Sequence, residues 1–490
     1  MPRRPLSVLL AAAECAPFVK VGGLGDVIGS LPQAVAEHNV TVSVILPCYG
    51  SISRKRFRFT KVSSLSVTHG GRAERCTLLS ARLPRNPVQY FFIDHRFFRP
   101  REIYLHQRRH TSKKTYTRTT VDVDRFALFS QAVAEAACSG AIPVDVIHCH
   151  DWHTALIPTF VDQLSVEKNY PNIPTVYTIH NLANQGIVRR SFIRRIDMRP
   201  DEEPALMEDY YDMDNEQLNF MKLGVLSANS ITTVSPTYAR EIRTPEYGAG
   251  LAKFLERRRQ DVRGIVNGID TRLFDPEHDT AIARRYTAQT VRTAKPVNKD
   301  ALQKILGLAR AKGIPVYGLV SRLVPQKGLD ITEEALKKFL RHEVQVVFLG
   351  TGDPGIERCL TALAKKFLGS VSVTIGFDLA LAQQIYAGSD FFLMPSLFEP
   401  CGLGQMIAMR YGTVPVVRAT GGLKDTVTNG KTGITFTRYT GKAFLAALEH
   451  SRKLYADKKS WYSIVARCMR QDFSWTASAT RYKELYTTLL

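Results

Sequence analysis

A chain of 490 residues is too long for a single hydrophobic core and fits two domains, each large enough to be stable alone. Its apolar, charged and glycine contents are those of a globular protein, and no apolar run reaches the length that a membrane-spanning helix needs. The net charge of +21 fits anionic small ligands, nucleic acid or a membrane surface, and does not choose among them.

In chain order, residues 6–13 follow Arg3 and Arg4 and imitate the basic and apolar parts of a secretory signal. They also run into Lys20-Val-Gly-Gly-Leu-Gly-Asp26, the strand-then-glycine-loop order of a nucleotide-binding half-domain. Cleavage would remove the element that positions the loop, so a buried first strand is expected. Apolar strands follow at 40–46, 88–93, 144–148, 175–179 and 231–234.

Segment 51–118 interrupts this order and carries Arg54-Lys55-Arg56, Arg108-Arg109 and Lys113-Lys114; it reads as insertions around the first sheet. Phe57, Phe59, Tyr90 and Phe91 interleave with these charges as nucleic-acid stacking platforms would. Basic residues are spread along the entire chain, however, and no nucleic-acid module signature is present. A solvated basic surface is the preferred reading.

After Asn267-Gly-Ile-Asp270, the stretch 271–300 is polar and weakly periodic, as at a domain entry. A second series of strands then starts at 316–320, 344–349, 371–375, 391–394 and 414–417, with helices at 332–341, 356–367 and 379–387. Residues 475–490 read as a closing helix. Continuous apolar strands alternating with helices imply parallel sheets covered on both faces. Two Rossmann-like α/β domains are the simplest architecture, with ligands at the strand carboxyl ends and a cleft shared between the domains. The eight cysteines form no Cys-x-x-Cys pair, which fits reduced thiols in a cytoplasmic protein.

Chemistry concentrates at three glycine-bearing strand ends. The first is the Lys20 loop. The second is Ser321-Arg322-Leu-Val-Pro-Gln-Lys327-Gly328, which offers a planar guanidinium and a mobile ammonium, a combination suited to a diphosphate. The third spans 394–427, where Glu399 precedes Gly402-Leu-Gly404 and a helix over 405–410 that Gly412 ends. Glycines at a helix start let backbone amides approach an anion closely. Asp122-Val-Asp124 imitates a metal-binding Asp-x-Asp, but it adjoins the basic insertion and is not read as a metal site. His148, His150 and His153 resemble a ligand cluster that no Cys or Glu completes. No metal or cofactor is expected.

Eleven stretches, in order, carry a family resemblance. The chain resembles bacterial glycogen synthases and is similar to plant starch synthases in Lys20-Val-Gly-Gly-Leu-Gly-Asp26, His148-Cys-His-Asp-Trp-His153, Thr178-Ile-His-Asn181, Val234-Ser-Pro-Thr-Tyr238 and Ile265-Val-Asn-Gly-Ile-Asp270. The likeness continues through Ser321-Arg-Leu, Gln326-Lys-Gly328, Gly350-Thr-Gly-Asp353, Glu399-Pro-Cys-Gly-Leu403, Arg410-Tyr-Gly-Thr413 and Phe473-Ser-Trp475. The resemblance implies a retaining glycosyltransferase of the GT-B fold, with two Rossmann-like domains facing a deep interdomain cleft. Such an enzyme moves glucose from a nucleotide diphosphate glucose, here ADP-glucose with UDP-glucose as the alternative, to the 4-hydroxyl at the end of an α-1,4-glucan such as glycogen.

It further implies roles for single residues. Glu399, Lys327, Arg322, His180 and Asp151 are the expected catalytic set. Lys20, Gly22, Gly23, Asn267, Cys401, Gly402 and Leu403 are expected around the donor, and Asp26 and Trp152 around the acceptor sugar, although Trp152 also reads as core. Arg322 and Lys327 neutralise the departing diphosphate, and the amides of Gly402 and Leu403 hold its distal phosphate. The expected division is an acceptor domain over 1–262, a donor domain over 263–470 and a final segment, 471–490, that returns to the first domain. Two positions depart from the family pattern: Val21 stands where threonine is usual, and Gly404 stands where a threonine often follows Pro-Cys-Gly-Leu, which removes a hydroxyl beside the expected phosphate.

Overall fold

The structure, a computed structural model, describes residues 4–105, 115–197, 211–212, 217–311 and 313–490. The basic pairs Arg108-Arg109 and Lys113-Lys114 lie outside the described residues. The chain divides into two units: Met1–Val234, Ala239–Ile265 and Trp475–Leu490 form the first, and Ser235–Tyr238 with Val266–Ser474 form the second.

In the first unit nine described strands form one sheet: β1 (Leu6–Ala11), β2 (Val40–Pro47), β3 (Thr60–His69), β4 (Arg72–Arg82), β5 (Gln89–Asp94), β6 (Val146–His150), β7 (Thr175–Ile179), β11 (Ser230–Thr233) and β12 (Val262–Gly264). Three short strands, β8 (Ile187–Arg189), β9 (Tyr211–Asp212) and β10 (Gln217–Asn219), pair separately. The large sheet runs β12-β11-β7-β6-β1-β2-β5-β4-β3. It is parallel from β12 to β5, as continuous apolar strands demand, and β1 is buried from Ser7 onward.

The insertion 51–118 ends the parallel order with an antiparallel hairpin: β4 pairs antiparallel to both β5 and β3. Phe57 and Tyr90 are buried and pack against Phe18, so they are not stacking platforms, and the aromatic pattern that suggested nucleic acid has a core explanation. Strand β6 starts two residues later than its apolar run suggests. Asp145 is tied to Ser7 through both of its backbone-directed contacts, so the strand extends through two buried histidines that break the apolar pattern.

The second unit is a six-stranded parallel sheet of β13 (Val316–Val320), β14 (Gln345–Gly350), β15 (Val371–Ile375), β16 (Phe391–Met394), β17 (Val414–Arg418) and β18 (Ile434–Phe436), in the order β15-β14-β13-β16-β17-β18. Its helices begin where the sequence places caps: Asp353, followed by Pro354, accepts from the amides of Gly355 and Ile356, and Asp378 and Thr440 cap in the same way. The polar run 271–300 hides the start of a helix, Val291–Ile305. Its periodicity is masked because two of its inward residues are lysines: Lys295 Nζ donates to Ala387 O and Thr413 Oγ1, and Lys299 pairs with Asp390 at 2.7 Å.

The final helix, Trp475–Thr487, belongs to the first unit, where it packs on the helix Gly23–Ala36. Tyr486 Oη lies 2.7 Å from His148 Nδ1 and so ties this helix to β6.

Candidate functional site

Each sheet has one place where the strand order reverses direction from the first strand laid down. In the first sheet it lies between β1 and β6; in the second it lies between β13 and β16. Loops leaving the carboxyl ends at such switch points diverge and leave a crevice.

At the first switch point, β1 leads to Glu14 and the Lys20 loop, β6 leads to Asp151, and β7 leads to His180. Glu14, which the sequence reading missed, is buried and organises the loop: its Oε2 accepts from the amides of Val21 and Gly22 at 2.6 and 2.8 Å, and its Oε1 accepts from Tyr104 Oη. The Gly22 amide is therefore already engaged, whereas Gly23 starts the following helix. Lys20 Nζ pairs with Asp26 at 2.6 Å, and both side chains are about one-third exposed. In the sequence Glu14 leaves only the trace of a lone carboxylate in the apolar run after β1, which names no role by itself.

Asp151 sits at φ +57°, ψ −177°, a region that L-residues other than glycine enter at a cost. Its amide still bonds Thr178 O, and its Oδ1 accepts from the amide of His180 at 2.7 Å, so one strained residue joins the ends of β6 and β7. Burial raises its carboxyl to about 7, with the nearby Glu14 charge adding to the effect and the amides of His180 and Asn181 opposing it. His180 Nε2 contacts His150 Nδ1 at 3.0 Å, and burial holds His180 down to about 3, so the ring is neutral. His148 is likewise held down to about 3 by burial and the neighbouring His180, and it bonds Tyr486 and Thr178. Among the described residues no group of His, Cys, Asp and Glu has the arrangement of a metal site. Asp122 pairs with Arg125, whereas Asp124 faces His69 and Arg195, so the Asp-x-Asp is split between two structural contacts.

Trp152 is buried, its ring edge-on to Phe126 at 5.2 Å and close against Gly186. The ring belongs to the core of the first unit.

At the second switch point the loop after β13 carries Arg322 and Lys327, and the loop after β16 carries Glu399, Cys401, Gly402 and Leu403. Lys327 Nζ pairs with Glu399 Oε2 at 2.6 Å, and Ser396 Oγ donates to the same oxygen at 3.0 Å. Both side chains are largely buried, at 17% and 7% exposure, so the pair is held in a semi-enclosed setting. Glu399 Oε1 accepts from no described residue. Arg322 is exposed and has no ion-pair partner among the described residues.

Backbone contacts lock these loops together. Leu397 N donates to Gln326 O, and Gln326 Nε2 donates to Phe398 O. A Cβ on Gly328, which is at φ +72°, would stand 2.1 Å from Pro395 O. On the other side, a Cβ on Gly421, at φ +46°, would stand 1.9 Å from Glu399 O, and Gly422 N donates to that same oxygen. The glycine-rich turn after β17 thus acts as a backing for the Glu399 loop.

Cys401 is buried, and burial pushes its thiol up to about 12, with the Asn267 amide opposing the shift; it is an inert neighbour, not a nucleophile. Asn267 is buried with its Oδ1 unpartnered, a polar group left without an acceptor's usual donor beside Cys401. Gly404 has a packing reason: a Cβ there would lie 2.8 Å from Phe392 Cε1 in the core, so this ring and a threonine at 404 compete for one space.

Two family models match the chain. A family model described as starch synthase catalytic domain matches residues 7–257, and one described as glycosyl transferases group 1 matches residues 306–461. The chain is 40% identical over 498 residues to a glycogen synthase of Clostridium novyi, covering 99% of both chains. It is 40% identical over 493 residues to a glycogen synthase of Alkaliphilus metalliredigens, covering 99% of this chain and all of the relative. Among solved structures, the catalytic domain of starch synthase IV from Arabidopsis thaliana, bound to ADP and acarbose, matches with a TM-score of 0.88 and 33% identity over 99% of each chain. A sucrose-phosphate synthase from Thermosynechococcus elongatus matches with a TM-score of 0.59 at 18% identity, a likeness of fold alone.

Proposed function

The chain belongs to the glycogen synthase and starch synthase family of glycosyltransferases, and from that premise we propose that it extends an α-1,4-glucan with glucose taken from ADP-glucose. The observation that carries this reading is the Lys327–Glu399 pair at the second switch point, beside the Cys401–Leu403 loop. A lysine ammonium and an exposed arginine suit a diphosphate, whereas a carboxylate with one oxygen left open suits sugar hydroxyls. The adenine base is supported by the plant relative that holds ADP.

In this reading Lys327 and Arg322 neutralise charge that builds on the departing diphosphate, and Gly402 and Leu403 present amides to its distal phosphate. Glu399 holds donor glucose. Asp151 and His180 are the groups that the first unit offers to sugar hydroxyls: the Asp151 carboxyl and the neutral His180 provide hydrogen bonds without a strong fixed charge. Glucose transfer with retention needs no carboxylate pair at hydrolase spacing, because a nucleoside diphosphate is itself a good leaving group. The free state of all eight cysteines supports a reducing compartment such as the cytoplasm. No described helix is long and apolar enough to cross a membrane.

The purified protein supplied with glycogen and labelled ADP-glucose is expected to lengthen the glucan chains, and faster than with labelled UDP-glucose. No incorporation from either donor removes the reading; a faster rate with UDP-glucose reverses the choice of base.

A further inference from the structure

Gln405 lies directly after the loop that the proposed function assigns to the donor phosphate. It is fully buried, yet only one end of its amide is satisfied. Its Nε2 donates to Gly402 O at 2.8 Å, to Thr426 Oγ1 at 3.0 Å and to Cys401 O at 3.1 Å, while its Oε1 has no partner. The opposite amide orientation would set Oε1 against two carbonyl oxygens, so the assignment follows from the acceptors around it.

A buried orphan acceptor is unfavourable, and a methionine of similar volume would avoid it. Packing alone therefore gives no reason for glutamine here. The peptide geometry does. In a trans peptide the C=O and the following N–H point in opposite directions, and neither Cys401–Gly402 nor Gly402–Leu403 is cis. With the carbonyls of Cys401 and Gly402 both turned onto Gln405 Nε2, the amides of Gly402 and Leu403 must both point away from it. Neither amide donates to any described group. Thr426, which takes the third contact, donates onward to Gly422 O, so the clamp is anchored in the glycine turn behind the Glu399 loop.

We propose that Gln405 is a positioning residue for glucosyl transfer: by holding two successive carbonyls it aims two successive amides at the distal phosphate of the nucleotide. The inference rests on the donor-site reading above. It is tested by measuring ADP binding calorimetrically, together with the KM for ADP-glucose, the KM for glycogen and kcat, in Gln405→Met, Gln405→Glu and Thr426→Val.

Gln405→Met is expected to weaken ADP binding and raise the KM for ADP-glucose about tenfold or more, with the KM for glycogen unchanged. Gln405→Glu is expected to regain ADP affinity as pH falls, because only the protonated acid can donate to the carbonyls. Thr426→Val, which removes a single anchor, is expected to raise the ADP-glucose KM about threefold, and it keeps the test open should the Gln405 variants fold poorly. ADP affinity within twofold of the parent in Gln405→Met, or equal losses for donor and glucan in a folded variant, overturns the proposal; so does an unchanged ADP-glucose KM in Thr426→Val. If the parent protein itself binds no ADP, it is the donor-site reading that fails.

Discussion

The two switch points use the same sheet geometry for opposite electrostatics. At the first, between β1 and β6, the groups at the strand ends are neutralised or already bonded: Glu14 is consumed by two amides and a tyrosine, His180 is held uncharged by burial, and Asp151 is pushed up to about 7. At the second, between β13 and β16, Lys327 is balanced by Glu399, and an exposed arginine and unengaged amides leave the crevice positive. A parallel sheet supplies only the crevice, and the residues on its loops decide what enters. One crevice suits uncharged hydroxyls and the other suits an anion.

The largest test of this contrast is to remove the charge at the second site. Lys327→Ala and Glu399→Ala are each expected to lower kcat by about 10²–10³-fold, the cost of losing a pre-aimed electrostatic contact, while far-ultraviolet circular dichroism stays that of the parent. A near-normal rate in either variant would refute the role given to that residue.

At the first site the contrast is sharpened by Asp151→Asn, which keeps an oxygen to accept the His180 amide. Turnover is expected to fall by about 10²-fold. A pH effect on stability should accompany it. The Asp151 carboxyl is raised from 3.8 to about 7 on folding, so the fold favours its protonated form. That contribution is complete below about pH 4 and disappears as pH rises through 7. Urea unfolding between pH 4 and 8 should show the parent losing stability with rising pH more steeply than the asparagine variant; parallel curves would show that Asp151 is ionised throughout.

Much of this arrangement was legible in the sequence because its signals are local. Strands β7, β13, β15 and β16 coincide with their apolar runs, and the Lys327 and Glu399 loops stand at strand ends where glycine and charge coincide. What was not legible depends on contacts remote in sequence. Glu14 reads as a stray acid until Tyr104 and the Lys20 loop close on it, and Gln405 reads as an ordinary helical residue until Thr426 and two carbonyls surround its amide. The helix Val291–Ile305 was obscured because Lys295 and Lys299 point inward to carbonyls and Asp390, which inverts the polar-outside rule that periodicity relies on.

Gly404 and Phe392 test whether packing, not phosphate chemistry, sets the departure from threonine at 404. Gly404→Thr is expected to destabilise the second unit by about 2 kcal/mol, because the new Cβ meets the Phe392 ring at 2.8 Å. Gly404→Thr with Phe392→Leu should recover part of that loss, a positive coupling that chemical denaturation can measure. Additive losses would show that the ring is not the obstacle.

The smallest effect is expected beneath the first crevice, where the final helix meets the first sheet. Tyr486 Oη contacts His148 Nδ1 at 2.7 Å, while His148 Nε2 contacts Thr178 Oγ1, and all three groups are buried. Tyr486→Phe removes one hydroxyl and leaves the ring packing intact, so the loss is that of a single buried hydrogen bond, about 1 kcal/mol. His148 retains Thr178, which fixes the ring and with it the end of β6 that carries Asp151; kcat and both KM values should therefore stay within twofold of the parent. A large loss of activity with unchanged stability would mean that the histidine chain transmits the position of the final helix to the first switch point, and the division between a neutral scaffold there and a charged machine at the second would no longer hold.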